Sequence, residues 1–166
     1  MKILALLILV LCLSVASVSA QTKEGSSEFT PHNGFGGQSE GNGKLKLFFG
    51  KKRPFHVESH GYDQAGGTFR LDQTVTFEGQ KSKERTWLLK TSSQNHYTGT
   101  LSDAAGRVTG FTNGSVLQLK YRVKGPLIMY QTLKLMPDGK TIDNVGKITL
   151  LGITLGHLHE TITRKD

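Results

Sequence analysis

The fold is decided by the stretch Asn113-Gly114-Ser115-Val116-Leu117-Gln118-Leu119-Lys120-Tyr121-Arg122-Val123. From Leu117 to Val123 apolar and polar residues alternate without a break. A period of two buries one face and wets the other, the pattern of an antiparallel strand. Asn113-Gly114 tolerates the positive φ of a type I′ turn, so a second strand is expected to run back from it.

The same pattern extends in both directions. Phe69, Leu71, Val75 and Phe77 alternate with Arg70, Asp72, Thr74 and Thr76, and Arg85, Trp87 and Leu89 alternate with Thr86 and Leu88. Leu127, Met129, Leu133 and Leu135 share a parity that Gln131 interrupts. Pro137-Asp138-Gly139 is turn chemistry, with proline presetting the first central φ. Gly66-Gly67, Glu78-Gly79, Ala105-Gly106 and Gly125-Pro126 add further breaks, so turns fall about every ten residues. No stretch offers a capped helix of three turns. The fold class is all-β: an antiparallel up-and-down meander of about eight to ten strands. Closure removes its edges. At about this strand number the interior can hold one small ligand. A lipocalin-like barrel over residues 45–166 is the expected architecture.

The chain begins differently. Met1-Lys2 precedes an apolar run from Ile3 to Leu13, and Val18-Ser19-Ala20 offers small residues for cleavage before Gln21. Residues 1–20 read as a signal peptide. The stretch is long enough for an anchor, but its second half is small and hydroxylated, which favours cleavage. The expected protein is exported, periplasmic or secreted, and soluble. Residues 21–44, rich in Gly, Ser, Asn and Glu with Phe29 and Phe35 as their large apolar residues, read as a flexible tether.

Cys12 is the only cysteine and would leave with the leader, excluding disulfides, thiol catalysis and cysteine metal sites from the mature chain. Lys and Arg number 21 against 13 Asp and Glu, a formal net charge of +8. Such a balance permits weak association with an anionic envelope surface. Lys51-Lys52-Arg53 is the one tight cluster, however, so solubility is the favoured reading of the charge. Nucleic-acid binding lacks a basic stripe interleaved with exposed aromatics.

Certain residues recur in an ordered series: Phe48-Phe49-Gly50, Gly67-Thr68-Phe69-Arg70-Leu71, Phe77-Glu78-Gly79, Arg85-Thr86-Trp87 and Tyr97-Thr98-Gly99-Thr100. Asp103, Gly106, Gly110, Gly114, Leu119-Lys120-Tyr121, Asp143-Asn144, Gly146-Lys147 and the stretch from Gly152 to Gly156 complete it. The series resembles a family of small exported bacterial proteins of unknown function with a lipocalin-like fold, over about the last 120 residues. Many members resemble lipoproteins, whereas Cys12 follows bulky Val10 and Leu11 and lacks a lipidation context. The acidic, aromatic segment usual between the family's last two hairpins is replaced by Lys134-Leu135-Met136-Pro137-Asp138-Gly139. The resemblance implies a fold and a compartment, and no reaction.

Six histidines raise the question of a metal. His157 and His159 share one strand face, as do His56 and His60, and neighbouring first and last strands would let the pairs meet. Exposed strand histidines are the simpler account, and no metal or other cofactor is assigned. No nucleophile elbow or acid pair supports catalysis, so the chain reads as a non-enzyme. The candidate ligand-binding residues are Phe69, Leu71, Arg85, Trp87, Tyr97, Leu119, Tyr121 and Met129. They would line a pocket for a small apolar or lipid-like molecule, with Arg85 orienting an acidic head group. The alternative for these positions is a packed core, leaving an interaction module without a ligand; Arg85 would then need an internal acid.

Overall fold

A computed structural model describes residues 28–165. The proposed leader, residues 1–20, lies outside the described residues. Ten antiparallel strands follow one short helix and close into a barrel in which each strand pairs with its neighbours in sequence and β1 pairs with β10. The strands are β1 (Gly37–Leu47), β2 (Arg53–Gln64), β3 (Thr68–Phe77), β4 (Lys83–Ser93), β5 (His96–Leu101), β6 (Arg107–Asn113), β7 (Val116–Lys124), β8 (Leu127–Leu135), β9 (Thr141–Leu150) and β10 (Ile153–Lys165). The helix, α1, is Pro31–Phe35. The all-β, up-and-down reading holds, but the β6–β7 hairpin differs from the expected Asn-Gly turn. Asn113 pairs with Val116, and the two loop residues are Gly114 and Ser115. Of these only Gly114, at φ +55°, has positive φ, as in a turn with glycine first.

The structure corrects the lower boundary of the domain. Residues 37–44, read as tether, belong to β1, which pairs with β10 from Gln38↔Lys165 to Leu47↔Gly156 and with β2 on its other side. Its inward positions are Ser39, Gly41, Gly43 and Leu45, so it has almost no apolar alternation. The small residues are required by their neighbours: a Cβ on Gly41 would run into the Glu160 carboxyl, and one on Gly43 into the Phe55 ring. The strand is held mainly by its two ladders, and its partners fill the space its own side chains leave.

Phe29 and Phe35, also assigned to the tether, close one end of the barrel. Thr30 caps α1 by accepting a hydrogen bond from Asn33 N at 3.0 Å, and Pro31 takes the first turn, where a missing N–H costs nothing. Phe29 and Phe35 are buried edge to face with centroids 5.7 Å apart, and Phe29 N donates to Gly114 O at 2.8 Å. Phe35 joins the apolar core of Phe69, Leu71, Trp87, Leu117, Leu133 and Ile142. The opposite end, formed by the β1–β2, β3–β4, β5–β6, β7–β8 and β9–β10 turns, carries no helix among the described residues. Near that end Val75, Phe77, Val123, Ile148 and Leu158 are only half-buried.

Candidate functional site

Inside the barrel, inward-facing polar residues interrupt the apolar parity of several strands. Gln73 follows Leu71, Gln131 stands between Met129 and Leu133, Asn144 follows Ile142, and Glu160 stands between Leu158 and Ile162. All four are buried, and each is hydrogen bonded, as buried polar groups must be to avoid a desolvation cost. They form two chains on facing walls.

On one wall, Gln73 Oε1 accepts from Trp87 Nε1 and from Arg85 Nε, both at 2.8 Å, while Gln73 Nε2 donates to Ser59 Oγ at 3.0 Å. On the other, Tyr121 OH donates to Gln131 Oε1 at 3.0 Å, Gln131 Nε2 to Asn144 Oδ1 at 3.3 Å, and Asn144 Nδ2 to Glu160 Oε2 at 2.9 Å. The Trp87 and Tyr121 rings meet edge to face at 5.2 Å and link the walls.

Between the walls lies a small cavity. Gln73, Arg85, Gln131, Asn144 and Glu160 give it polar surface, and Leu71, Leu89, Leu119 and Leu133 give it apolar surface. Its volume of about 30 Å³ suits a water or two. Ligand pockets usually exceed roughly 300 Å³.

The electrostatics of this interior are unequal. Burial pushes the Glu160 carboxyl up, against the opposing pull of the Asn144 bond and the Arg85 charge. Burial also pushes the Tyr121 phenol up to about 12, with Arg85 opposing and Asp103 and Glu160 reinforcing. Arg85 lies beside the Trp87 ring, Cζ 5.7 Å from its centroid. Among the described residues no carboxylate forms an ion pair with it. Glu160 is thus the internal acid that strand parity left unnamed, facing the same cavity as Arg85 without pairing to it.

Residues 6–164 match the DUF3833 family, described as proteins of unknown function. The chain belongs to that family. No curated protein matches it. Among solved structures it is similar to the S-type phycobiliprotein lyase of Guillardia theta, with a TM-score of 0.62 at 8% identity, covering 79% of this chain and 88% of that one. It is also similar to a protein of unknown function from the DUF3598 family of Nostoc punctiforme PCC 73102, with a TM-score of 0.57 at 10% identity. That match covers 89% of this chain and 53% of the other, so the chain spans about half of that protein's length. At these identities the likeness is one of fold alone, a lipocalin-like barrel.

For this DUF3833 member the candidate residues divide. Leu71, Arg85, Trp87 and Leu119 line the cavity. Phe69 is buried beneath the plug that Phe29, Phe35 and α1 form at one end of the barrel, its ring reaching toward Gly61. Tyr121 and Met129 are buried on adjoining strands, paired in register away from the helix, and Tyr97 packs half-buried against the core. None of these last four lines the cavity. Sequence reasoning passed over Gln73, Asn144 and Glu160, although each sits at an inward parity flanked by apolar residues. That interruption was a readable signal.

The two histidine pairs do not meet. β1 lies between β2 and β10, so His56, level with Thr161, is two strands from His159 and more than roughly 10 Å away at the usual spacing. His60, level with Lys165, lies farther still from both His157 and His159. His56 bonds Asn42 at 3.0 Å, and His159 bonds Asp143 at 2.8 Å. The expectation that the first and last strands would join the pairs rested on a domain starting at Leu45, which β1 corrects.

Proposed function

We propose that this DUF3833 protein is exported and binds a small, largely apolar molecule with an acidic group inside its barrel, as a carrier and not as an enzyme. One observation carries the reading. The guanidinium of Arg85 faces a mixed polar and apolar cavity in a closed barrel and has no carboxylate partner among the described residues. A half-buried arginine supplies charge-assisted, bidentate recognition of a carboxylate or phosphate. Gln73 already orients its Nε and leaves the outer fork nitrogens available. Leu71, Leu89, Leu119 and Leu133 would cover the apolar part of the ligand. Entry would come from the end without a helix, where half-buried Val75, Val123, Ile148 and Leu158 can give way. Export is supported by the apolar run from Ile3 to Leu13 and the small residues before Gln21.

The test is native mass spectrometry of purified protein with lipid extraction, followed by displacement of a fluorescent fatty acid. A co-purifying acid, and displacement weakened at least about tenfold by Arg85→Met, is the expected result; the loss of one charged hydrogen bond is of this size. Equal affinity in Arg85→Met removes Arg85 from the site.

A second reading follows from the cavity volume. With about 30 Å³ of free space, the barrel is nearly a packed core, and its role would lie on its surface. An empty protein that neither binds the fluorescent fatty acid nor enhances an apolar dye favours this reading.

A further inference from the structure

The barrel end opposite α1 carries apolar residues that neither the core nor turn chemistry explains. Phe48 and Phe49, in the β1–β2 turn, are 70% and 90% exposed and stack edge to face at 4.7 Å. Phe48 N donates to Leu155 O at 2.7 Å, which carries this turn alongside the start of β10. There Leu151, in the β9–β10 turn, and Ile153, the first residue of β10, are 89% and 68% exposed. Leu151 also sits at φ +49°, a left-handed conformation that asparagine or glycine adopts at lower cost and that is unusual for a bulky apolar residue. Two adjacent turns and the first residue of β10 therefore hold four large apolar side chains in water, one of them on an unfavourable backbone. Exposed apolar patches of this kind mark interaction sites.

The surroundings say what covers them. Lys51 and Lys52 follow the phenylalanines after Gly50, Lys81 lies in the β3–β4 turn with Lys83 just past it, and Lys124 ends the strand before the β7–β8 turn. Against these, the same rim carries Glu78, Glu84 and Asp103. On the outer wall beside the tips, a groove of about 630 Å³ takes part of its lining from Lys44, Lys46, Lys52, His157 and His159 and the rest from uncharged residues, among them Pro54, Phe55 and Leu158. Among the described residues the one carboxylate bonded to these five is Asp143, which accepts from His159. Apolar tips that reach a few ångströms past a collar of lysines fit the boundary between acyl chains and anionic head groups.

We propose that this end of the barrel docks on an anionic phospholipid bilayer, with Phe48, Phe49, Leu151 and Ile153 entering the acyl boundary and the Lys51–Lys52 pair meeting head-group phosphates. Phenylalanine and leucine are typical of the apolar faces that enter this boundary beside a lysine-rich polar face. Docking in this orientation leaves α1 and its plug facing away from the membrane. The proposal does not depend on a ligand inside the barrel.

The experiment is co-sedimentation of the protein with vesicles of phosphatidylcholine alone and of equal parts phosphatidylcholine and phosphatidylglycerol. Binding to the anionic vesicles, and little to the neutral ones, is expected. Phe48→Ser with Phe49→Ser should weaken it by at least about tenfold, from lost apolar transfer. Lys51→Ser with Lys52→Ser should weaken it about tenfold or more at low salt, and far less at high salt. All four positions are exposed, so circular dichroism should be unchanged. Absence of binding to the anionic vesicles, or binding indifferent to the phenylalanine pair, overturns the proposal. So does a dimer in sedimentation velocity that the phenylalanine pair abolishes, since the patch would then be covered by a second copy.

Discussion

Gly41 and Glu160 occupy one volume between them: the hydrogen on Gly41 leaves room for the carboxyl of Glu160, which a Cβ would overlap. Glu160 can swing aside only by giving up Asn144 Nδ2, a buried donor. Gly41→Ala is therefore expected to cost about 1–3 kcal/mol of stability. Urea denaturation measures it. In a double-mutant cycle with Glu160→Ala, the penalty of Gly41→Ala should shrink, because the colliding carboxyl is gone. Additive penalties would mean that the two residues do not share this space.

Glu160 also sets a pH dependence. Its carboxyl is held above the ordinary value of 4.5, chiefly by burial. The folded protein thus keeps a proton that the unfolded chain has released, and this group's contribution to stability falls as pH rises from 4.5 through its folded value. Glu160→Gln removes the titration and keeps an amide to pair with Asn144. The variant should gain on the wild type as pH rises above 4.5 and then hold a constant lead. Urea midpoints of the two proteins, compared across that range, decide it. A pH-independent difference would show that Glu160 does not titrate abnormally in the fold.

The parts of the fold legible in the sequence are those in which a strand carries its own evidence. β7 displays Leu117, Leu119 and Tyr121 inward and Gln118, Lys120 and Arg122 outward, and Asn113-Gly114 marks its hairpin to within one residue. β1 carries no such evidence. Its inward Ser39, Gly41 and Gly43 make sense only beside Glu160 and Phe55, which lie far away in sequence. Composition reads such a strand as linker, because its apolar half belongs to its neighbours. The site was legible in part for a related reason. Arg85 and Trp87 stand out as an inward charge beside an inward aromatic. Gln73, Asn144 and Glu160 each interrupt an inward-facing row, but which of them meet is set only when closure brings the walls face to face.

The β8–β9 turn offers a sign opposite to that of Glu160. Asp138 accepts from Lys140 N at 2.9 Å, from Thr141 N at 2.8 Å and from Thr141 Oγ1 at 2.6 Å. These bonds, the Thr141 hydroxyl first, hold its carboxyl down from 3.8 to about 2. A depressed acid contributes stability that is fully present above the unfolded value and is lost as pH falls through the folded one. The wild type should lead Asp138→Asn by a constant margin above pH 3.8 and lose that margin as pH approaches 2. Acid-unfolding curves of the two proteins provide the comparison. A margin that survives to pH 2 would place its origin elsewhere.

The plug is held at a point where β2 has no side chain. Gly36 bridges to Gly61, and a Cβ on Gly61 would collide with the Phe35 carbonyl and the Phe69 ring. The carbonyl belongs to the backbone and cannot rotate aside, so Gly61→Ala must lift α1 from the barrel end or bend β2. A cost of about 1–3 kcal/mol or more is expected, with the apolar interior exposed at that end. Phe29→Ala reaches the same end by another route. It empties a fully buried ring site beside Phe35 and should cost about 3–5 kcal/mol. Both variants should therefore lower the urea midpoint and raise binding of an apolar fluorescent dye below that midpoint. Hydrogen exchange locates the change: protection should fall first at α1, at the β6–β7 turn that Phe29 N contacts and at the Gly61 end of β2. Protection lost instead around Phe48 and Leu151 would mean that the helix-free end opens first, and that α1 is a passive cover.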